Sequence, residues 1–381
     1  MSDIPPEIIT AILIRLPVKS LLRSRCVSKP WRSLIDGQDF IKQHLRHSVE
    51  SSSYNILVLE KTQLLYVDLD SLGRLDTGTL RSKPQYVVGS CDGLVLFLTF
   101  SNDIVLWNPS TRKLKELPTT PRPPSIADSV MAPGVFWYGL YALGYDSKHG
   151  DYKVVWVDGW GMCSETKIYS LKTDSWKKIV GFPYSLMHKK PRGVYLNDAV
   201  HTVVRKHDKL VVGTIMAFSI EREMHYEVMM PPGIRIGNAD VSLDVIGDCL
   251  SVVCNHRSRV VVWVMREYGV KESWTKLVSI CSPAIEARDF VKPLVYSREG
   301  DRILLSCDDK RLVWYDLEKK TVEVVSVDGM PFVFYAEPCV ESLVSFKGPV
   351  EVKKLGPEKI KTKKIRNRRD DFLSEGFKLV L

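Results

Sequence analysis

The side chains that could carry out chemistry in this sequence are its eight cysteines and eight histidines. Thiolates and imidazoles hold zinc when four of them converge, and a cysteine beside a histidine can act as a nucleophile. The nearest cysteine pair, Cys249 and Cys254, has no histidine at zinc-finger spacing. The others are scattered without a Cys-x-x-Cys pair, at positions 26, 91, 163, 281, 307 and 339. This pattern predicts buried, reduced thiols with a structural role, a reducing compartment and no metal site.

Sequence signatures of catalysis are missing as well. The sequence contains no G-x-S-x-G elbow, no glycine-rich phosphate loop and no H-E-x-x-H pair. His201 and His207 fall in a strand-like stretch and a loop-like stretch, without a cysteine or acid at ligand spacing. We therefore expect a protein that is not an enzyme, needs no cofactor and works by binding.

The net charge of +9 is concentrated at the C-terminus. Residues 353–369 carry nine basic side chains and one acidic one. Three interpretations remain open for this tail: a solvated charged arm, a nuclear-import signal, or a patch for an acidic partner. Nucleic-acid binding is not expected, because no aromatic residues alternate with the charges. No apolar run reaches the roughly 18 residues of a membrane span, and the first residues do not resemble a secretory signal. We expect a protein of the cytoplasm and nucleus.

Two kinds of element must position any binding residues. Residues 1–47 predict short helices, because apolar residues recur at helical spacing from Ile8 to Leu16, where Pro17 ends the pattern. Ser28 is a predicted N-cap of a third helix and Asp39 of a fourth. The polar stretch 48–53 is the predicted linker.

From residue 54 onward the sequence repeats a unit of short strands. Each unit has an aromatic residue in one strand, and successive aromatics are separated by 41 to 62 residues, about the length of a propeller blade and its loops. These aromatics are Tyr66, Trp107, Tyr169, Phe218, Trp263 and Trp314. We expect them to pack within or between blades.

Tight-turn pairs precede five of the six aromatics and predict hairpins. They are Asp92-Gly93, Gly150-Asp151, Asn197-Asp198, Gly247-Asp248 and Gly300-Asp301. The first unit lacks its innermost strand, which residues 338–346 could supply and so close the ring. The predicted fold is a small all-α domain at 1–47 and an all-β propeller of about six blades at 54–346, followed by a basic tail at 347–381.

The N-terminal motif resembles the F-box. The matching stretches are IPPEII (4–9), ILIRLPVKSL (12–21), RSRCVSKPW (23–31), LI (34–35) and FIKQHL (40–45). An F-box binds a Skp-type adaptor, and the resemblance implies that Ile4, Pro5, Ile8, Leu16 and Pro17 face that adaptor. It also implies that Trp31 and Leu34 hold the helices together. An independent small helical domain is the alternative.

The remaining chain resembles the F-box-associated, kelch-like interaction domain of a large plant family. The matching stretches include GSCDGLVLF (89–97), LWNPSTRKLKELP (106–118), LGYDSKHGDYKVV (143–155), SLKTDSWKKI (170–179), WVMREYGVKESWTKL (263–277), PLVYSREGDRILL (293–305) and LVWYDLEKKTVEVV (312–325). The resemblance implies a subunit that recruits targets to a Skp–cullin–F-box ubiquitin ligase. A scaffold acting outside any ligase remains the alternative.

The final segment, residues 368–381, resembles a member of this plant family that controls defence. That resemblance implies degradation of intracellular immune receptors and negative control of defence. The S-locus F-box proteins of pollen share the architecture and would have a different target.

Strand parity predicts two unlike faces of the propeller. Long loops at 119–136, 158–165, 181–192, 231–241 and 281–291 should share one face, where recognition usually resides. The candidate target contacts on these loops are Trp160, Met162, His188, Lys189, Lys190 and Arg235. The helical domain and the tail should emerge on the opposite face, which carries the short turns.

Overall fold

The computed structural model describes residues 5–346 with internal gaps. The gaps fall at 52–53, 61–62, 70–73, 77–79, 81, 102, 120–138, 159–163, 183, 187–191, 207–212, 235–239, 257–258 and 282–289. Within the described residues, four helices precede six antiparallel sheets.

The four helices form a compact N-terminal unit, called the helical unit below. They are α1 (Pro6–Ile14), α2 (Val18–Ser24), α3 (Lys29–Ile35) and α4 (Gln38–Glu50). Pro6 begins α1, where a missing N–H costs nothing. Ser28 caps α3 as predicted, since its Oγ accepts a hydrogen bond of 3.2 Å from the Trp31 amide. The predicted cap of α4 is wrong: Gly37 occupies that position and Asp39 lies in the first turn, where its negative charge faces the free amide groups.

The six sheets are the blades of a β-propeller. Blade 1 contains β1 (Tyr54–Glu60), β2 (Gln63–Asp68) and β3 (Arg74–Asp76); blade 2 contains β4 (Pro84–Cys91), β5 (Leu94–Thr99), β6 (Ile104–Asn108) and β7 (Lys113–Glu116). Blade 3 contains β8 (Gly139–Asp146), β9 (Asp151–Asp158), β10 (Ser164–Ser170) and β11 (Ser175–Phe182). Blade 4 contains β12 (Tyr184–Leu186), β13 (Val194–Leu196), β14 (Ala199–Lys206), β15 (Gly213–Ser219) and β16 (Met224–Val228). Blade 5 contains β17 (Asp240–Ile246), β18 (Cys249–His256), β19 (Arg259–Met265) and β20 (Trp274–Cys281); blade 6 contains β21 (Val291–Tyr296), β22 (Arg302–Cys307), β23 (Arg311–Asp316) and β24 (Val322–Val325).

The ring closes through β25 (Tyr335–Val340), which pairs with β1 and is the innermost strand of blade 1. Closure from the C-terminal end is confirmed, but the predicted strand bounds of 338–346 are wrong. The strand ends at Val340, because the next residues contact the helical unit and blade 2. Pairing the two ends of the domain leaves β1 without an open inner edge.

The repeated aromatics lie on the third strand of each blade, as the repeat predicts. Tyr66, Trp107, Tyr169 and Phe218 are buried between blades or within them. Trp263 and Trp314 are half-buried but also pack against the cores between blades, as expected. A cation lies over each ring: Lys276 Nζ is 5.1 Å from the centroid of the first and Arg302 Cζ 5.4 Å from that of the second.

The described cysteines are not all buried, although burial was predicted for them. Cys91, Cys254, Cys307 and Cys339 are buried free thiols, as expected. Cys26 and Cys281 are exposed, and Cys249 is half-buried. Cys26 follows the C-terminal end of α2, outside the packed core of the helical unit. Cys281 ends an outer strand, where every second side chain faces solvent.

The helical unit sits on the face of the disc that carries the short turns, as strand parity predicts. This short-turn face includes the Asp92-Gly93 and Gly150-Asp151 turns, which border one cavity together with α4. Ile41 and Leu45 of α4 pack against the core of blades 2 and 3. The helical unit is therefore docked on the propeller through α4.

Residues 341–346 form a C-terminal strap that joins the helical unit to blade 2. Asn108 Nδ2 donates hydrogen bonds to the carbonyl groups of Ser342 and Val344, at 3.0 and 2.8 Å. Gly93 lies so close to the strap that a Cβ there would come within 2.4 Å of Ser342 Cβ. On the other side of the strap, Leu343 completes the buried core of the helices.

Glu341 adds a polar contact between the strap and the helical unit. Its Oε2 accepts a hydrogen bond of 2.9 Å from the Val18 amide, an N–H at the start of α2 that has no partner within its own helix. The strap therefore fixes the helical unit through both an apolar residue and a hydrogen bond.

We expect Leu343→Ala to destabilise the helical unit, although the residue follows the last strand of the propeller. Removing a buried leucine side chain typically costs about 2–5 kcal/mol, because the cavity left behind collapses only partly. Amide hydrogen exchange should therefore accelerate in α1–α4 while the blades keep their protection. Leu312→Ala in blade 6 is the matched control and should accelerate exchange in the blades alone. Unchanged exchange in the helices of the Leu343 variant would contradict the role of the strap.

Candidate functional site

One candidate binding surface lies on the helical unit and is apolar. Ile8 and Ile12 of α1 are 51% and 53% exposed, and their spacing of four places them on one side of the helix. Val27, after α2, is 66% exposed. Large apolar side chains exposed together mark a surface that another protein covers.

A tight core beneath this surface holds it in place. Leu13, Val18, Leu21, Ile35 and Phe40 are almost completely buried, and Trp31 and Leu34 pack against them as predicted. The exposed isoleucines therefore project from a rigid backbone and are not part of a loose helix.

The five sequence-predicted adaptor contacts differ in how exposed they are. Pro5, Ile8 and Pro17 are exposed. Leu16 is half-buried in the helical core, and its carbonyl group lies 3.0 Å from His44 Nε2. Ile4 lies outside the described residues. Leu16 thus contributes to the fold as well as to the predicted surface.

Sequence reasoning missed Ile12 and Val27 as surface residues. The helical spacing of Ile8 and Ile12 was visible in the sequence, but periodicity alone does not say which apolar face remains uncovered. Ile12 followed the same pattern as the buried Leu13. The available signal was the width of the apolar face, which is larger than the small core of four short helices can cover.

A second candidate surface lies at the opposite end of the propeller. The central channel opens on the long-loop face as a chamber of about 770 Å³, within the size range of ligand sites. Its walls combine aromatic, apolar and charged side chains from blades 1, 2, 4, 5 and 6. They include Leu59, Tyr86, Arg192, Val203, Asp240, Asp244, Phe290, Lys292, Asp309, Val333, Phe334 and Tyr335.

Blade 4 shapes this chamber, because its innermost strand is interrupted. β12 pairs with the C-terminal end of β14, and β13 pairs with its N-terminal end. Thr202 and Val203, in the middle of β14, line the chamber. Arg192 lies just before β13 and extends into the channel, where it borders both the chamber and a second cavity on the short-turn side.

A network of buried charges forms the floor of the chamber. Glu337 forms ion pairs with two cations: its carboxylate oxygens lie 2.5 Å from Arg192 Nη2 and 2.5 Å from Lys292 Nζ. Asp244 lies 3.5 Å from Arg192 Nη1. Tyr335 donates a hydrogen bond of 2.8 Å to Glu337. These contacts separate the two cavities of the channel.

Burial and the neighbouring cations shift the pKa values of the two buried carboxylates in opposite directions. Burial alone would raise the pKa of Glu337, but the cations of Arg192 and Lys292 outweigh it and hold that pKa below its ordinary value. Burial raises the pKa of Asp244 despite the attraction of Arg192. The cations therefore dominate the pKa of Glu337, whereas burial dominates that of Asp244.

The six sequence-predicted target contacts cannot be placed in this geometry. Trp160, Met162, His188, Lys189, Lys190 and Arg235 all lie outside the described residues. The described residues that border the chamber were not singled out in the sequence.

The described part of the chain contains no group of three or more histidine, cysteine or acidic side chains placed to hold a metal ion. None of its described helices is long and apolar enough to cross a membrane.

Comparison with known families gives two matches along this chain. Residues 1–43 match the F-box domain, and residues 48–344 match the F-box associated beta propeller domain. The two resemblances seen in the sequence are confirmed, and the boundary between the two matches falls within α4, shortly before the first strand.

Several curated plant proteins are similar to this chain. The F-box protein CPR1 of Arabidopsis thaliana is 35% identical over the full length of both chains. The F-box protein At4g22390 of the same plant is 30% identical, also over both full lengths. The F-box/kelch-repeat protein At3g23880 of Arabidopsis thaliana is 32% identical over 80% of this chain and 85% of that protein.

Proposed function

Because the chain belongs to the F-box proteins that carry an F-box-associated β-propeller domain, we propose that it recruits target proteins to a Skp–cullin–F-box ubiquitin ligase. The exposed apolar face of α1, centred on Ile8 and Ile12, binds the Skp-type adaptor. The propeller binds the target. The chain supplies no catalysis, since ubiquitin transfer is performed by other subunits.

The observation that supports this proposal most directly is the opposition of the two candidate surfaces. The helical unit is docked on the short-turn face through α4 and the strap, whereas the chamber opens on the long-loop face. A target held at the chamber therefore faces away from the adaptor and does not collide with it. The strap contact of Glu341 with α2 keeps this arrangement fixed.

The decisive experiment is reconstitution with purified components. The full chain should co-purify with a Skp-type adaptor and assemble with a cullin–RING core into an active ligase. A chain that folds but captures no adaptor would instead support the alternative, a propeller scaffold that acts outside any ligase.

We also propose intracellular immune receptors as the target class, and a negative role in defence. The resemblance of residues 368–381 to a defence-controlling family member and the 35% identity with CPR1 support this choice. Proximity labelling in plant cells, with and without proteasome inhibition, tests it. Receptors labelled more strongly under inhibition, in cytoplasmic and nuclear fractions alike, would support both the target class and the expected location. Enrichment of a different class of protein would replace this target.

A further inference from the structure

We infer that the C-terminal strap makes adaptor binding conditional on a closed propeller. Glu341 and Leu343 act as positioning residues: they hold the adaptor-binding helices in place, and they do so only when β25 has paired with β1. The inference rests on the proposed adaptor binding and specifies how that binding is regulated. It is supported by the contacts of Glu341 and Leu343, by the anchoring of the strap to blade 2, and by the position of the strap directly after the ring-closing strand.

Glu341 supports the turn between α1 and α2, which carries Leu16 and Pro17, two of the predicted adaptor contacts. Its Oε2 accepts a hydrogen bond of 2.9 Å from the amide of Val18, the residue directly after Pro17. On the other side of the turn, the Leu16 carbonyl accepts a hydrogen bond of 3.0 Å from His44 Nε2. The exposed Pro17 is thus held from both sides, by α4 through Leu16 and by the strap through Val18.

Leu343 supplies an apolar contact to the same helices. It is buried in the core of the helical unit, together with Leu13 of α1 and Val18 of α2. Leu13 directly follows Ile12, so the packing of Leu13 fixes the part of α1 that carries the exposed apolar face. Four short helices bury little apolar surface by themselves, and a buried leucine from outside the unit is therefore a substantial part of its core.

The opposite side of the strap is held by the propeller. Side chains alternate along this extended segment: Glu341 and Leu343 contact the helices, whereas Val344 packs in the core of blades 2 and 3. Ser342 is completely buried, and its amide donates a hydrogen bond of 3.1 Å to Ser110 Oγ in the turn between β6 and β7. Contact with the helices is therefore made by a segment that blade 2 holds in register.

The strap begins where the ring closes. Val340, the last residue of β25, pairs with Tyr54, the first residue of β1, and Glu341 follows immediately. Glu341 and its partner Val18 are 323 positions apart in the sequence. A contact across so long a segment has a high loop-closure cost unless the intervening chain is already folded. Closure of the propeller therefore brings the strap to the helices.

A chain with an open or incomplete ring would present a weakened adaptor surface. The apparent affinity of a binding site falls in proportion to the fraction of molecules that are in the competent conformation. Molecules whose recognition domain has not closed would therefore capture the adaptor less often. The strap thus favours the incorporation of completely folded chains into the ligase.

The same coupling must also act in the reverse direction, because linkage between two sites is reciprocal. An adaptor bound to α1 should stabilise the strap and β25 from a distance. The amides of Ser342 and Val344 are suitable reporters, since they donate hydrogen bonds of 3.1 and 3.0 Å to Ser110 Oγ and Ser342 Oγ. Each amide exchanges with solvent only when its hydrogen bond opens.

The test measures hydrogen–deuterium exchange of the full chain with and without a purified Skp-type adaptor. At a free adaptor concentration of about 100 times the Kd, exchange in residues 335–346 should slow about tenfold or more, and linkage limits the effect to about a hundredfold. Peptides that cover the outer strand β16 are the internal control. Their exchange should not change, because an outer strand can open locally without disturbing the helices.

Glu341→Ala should weaken adaptor binding about tenfold, the loss typical of a charged hydrogen bond, and should reduce the protection of the strap by the adaptor. Glu341→Gln should keep most of the affinity, because its amide oxygen can accept the same hydrogen bond from Val18. Glu323→Ala, at an exposed carboxylate of β24, is the matched control and should leave the affinity unchanged. Undiminished protection of the strap in Glu341→Ala would indicate direct contact with the adaptor and would overturn the inference.

Asn108→Ala tests the coupling from the propeller side, because Asn108 belongs to blade 2 and donates hydrogen bonds to two carbonyl groups of the strap. Exchange in the strap should accelerate, and adaptor binding should weaken severalfold. Asn255→Ala is the matched control: this buried asparagine of blade 5 accepts a hydrogen bond from the Val291 amide, so its loss should destabilise the propeller without changing adaptor affinity. Faster exchange in the strap of Asn108→Ala together with wild-type affinity would contradict the coupling.

The experiment also separates this inference from the recruiting function. Unchanged exchange in residues 335–346 at saturating adaptor would overturn the coupling and leave the recruiting function intact, because the chain would still bind the adaptor. A folded wild-type chain that captures no adaptor would overturn both.

Discussion

Replacing both Ile8 and Ile12 with alanine is expected to reduce adaptor capture about a hundredfold or more. The two side chains project side by side from α1, and neither belongs to the buried helical core. Central apolar contacts in an interface typically cost about 2 kcal/mol or more each when truncated, and every 1.4 kcal/mol corresponds to a factor of ten. The melting temperature should hardly change, because exposed positions contribute little to folding.

Titration of the purified variant with a Skp-type adaptor measures this effect, with circular dichroism as the check on folding. Met224→Ala is a suitable control, since Met224 is an equally exposed apolar residue on an outer strand of blade 4. Leu16→Ala is informative by contrast, because this half-buried residue should lower both adaptor affinity and helical stability. Wild-type affinity of the Ile8 and Ile12 double variant would place the adaptor elsewhere.

The repeats made most of this fold predictable from the sequence. Turn pairs such as Asp92-Gly93 specify hairpins through their backbone requirements, and both residues there have the positive φ angles that such turns need. An aromatic residue on the third strand marks each blade. Because both signals are local, and the turn pair recurs five times and the aromatic six times, blade number and strand order follow without any long-range information.

The bounds of the closing strand could not be predicted in the same way. The stretch 338–346 has the strand-like pattern expected of a ring-closing element. Only the first three of its residues belong to β25, because Leu343 packs among the helices and Ser342 bonds to blade 2. Tertiary contacts decide where this strand ends, and local sequence carries no record of them.

The charged floor of the chamber was equally invisible in the sequence. Arg192, Asp244, Lys292 and Glu337 come from four distant positions and show no common spacing. Each resembles an ordinary surface charge until the propeller closes and brings the innermost strands together. A site assembled in this way depends on the topology of the propeller. Sequence composition instead favoured the long exposed loops as the place of target binding.

Glu337→Gln is expected to destabilise the propeller by about 3–5 kcal/mol, the usual effect of removing one partner from a buried ion pair. The side chain of Glu337 is only 5% exposed and bonds to two cations. Glutamine preserves its shape but removes the carboxylate that bonds to both Arg192 and Lys292, leaving Asp244 as the remaining carboxylate beside Arg192. Urea denaturation of the purified chain measures the difference. Glu323→Gln is the matched control, because that exposed carboxylate forms only a surface ion pair with Arg302, and such pairs contribute about 1 kcal/mol or less.

A compensating variant separates the loss of charge balance from simple damage to packing. Adding Lys292→Met to Glu337→Gln removes the buried cation that has lost its carboxylate partner, so the double variant should recover part of the lost stability. A double variant that is less stable than Glu337→Gln alone would show that Lys292 stabilises the floor independently of Glu337.

The difference in unfolding free energy between the wild type and Glu337→Gln should depend on pH. Arg192 and Lys292 hold the pKa of Glu337 below its ordinary value of 4.5, so the unfolded chain binds this proton more readily than the folded one. The stability that Glu337 contributes is therefore fully present above pH 4.5 and is lost as the pH falls through the lower pKa of the folded state. The gap in unfolding free energy between the wild type and Glu337→Gln should stay constant near neutrality and narrow only in acid. A gap that narrows on raising the pH from neutrality would mean that the cations, and not the carboxylate, control the charge balance of the channel.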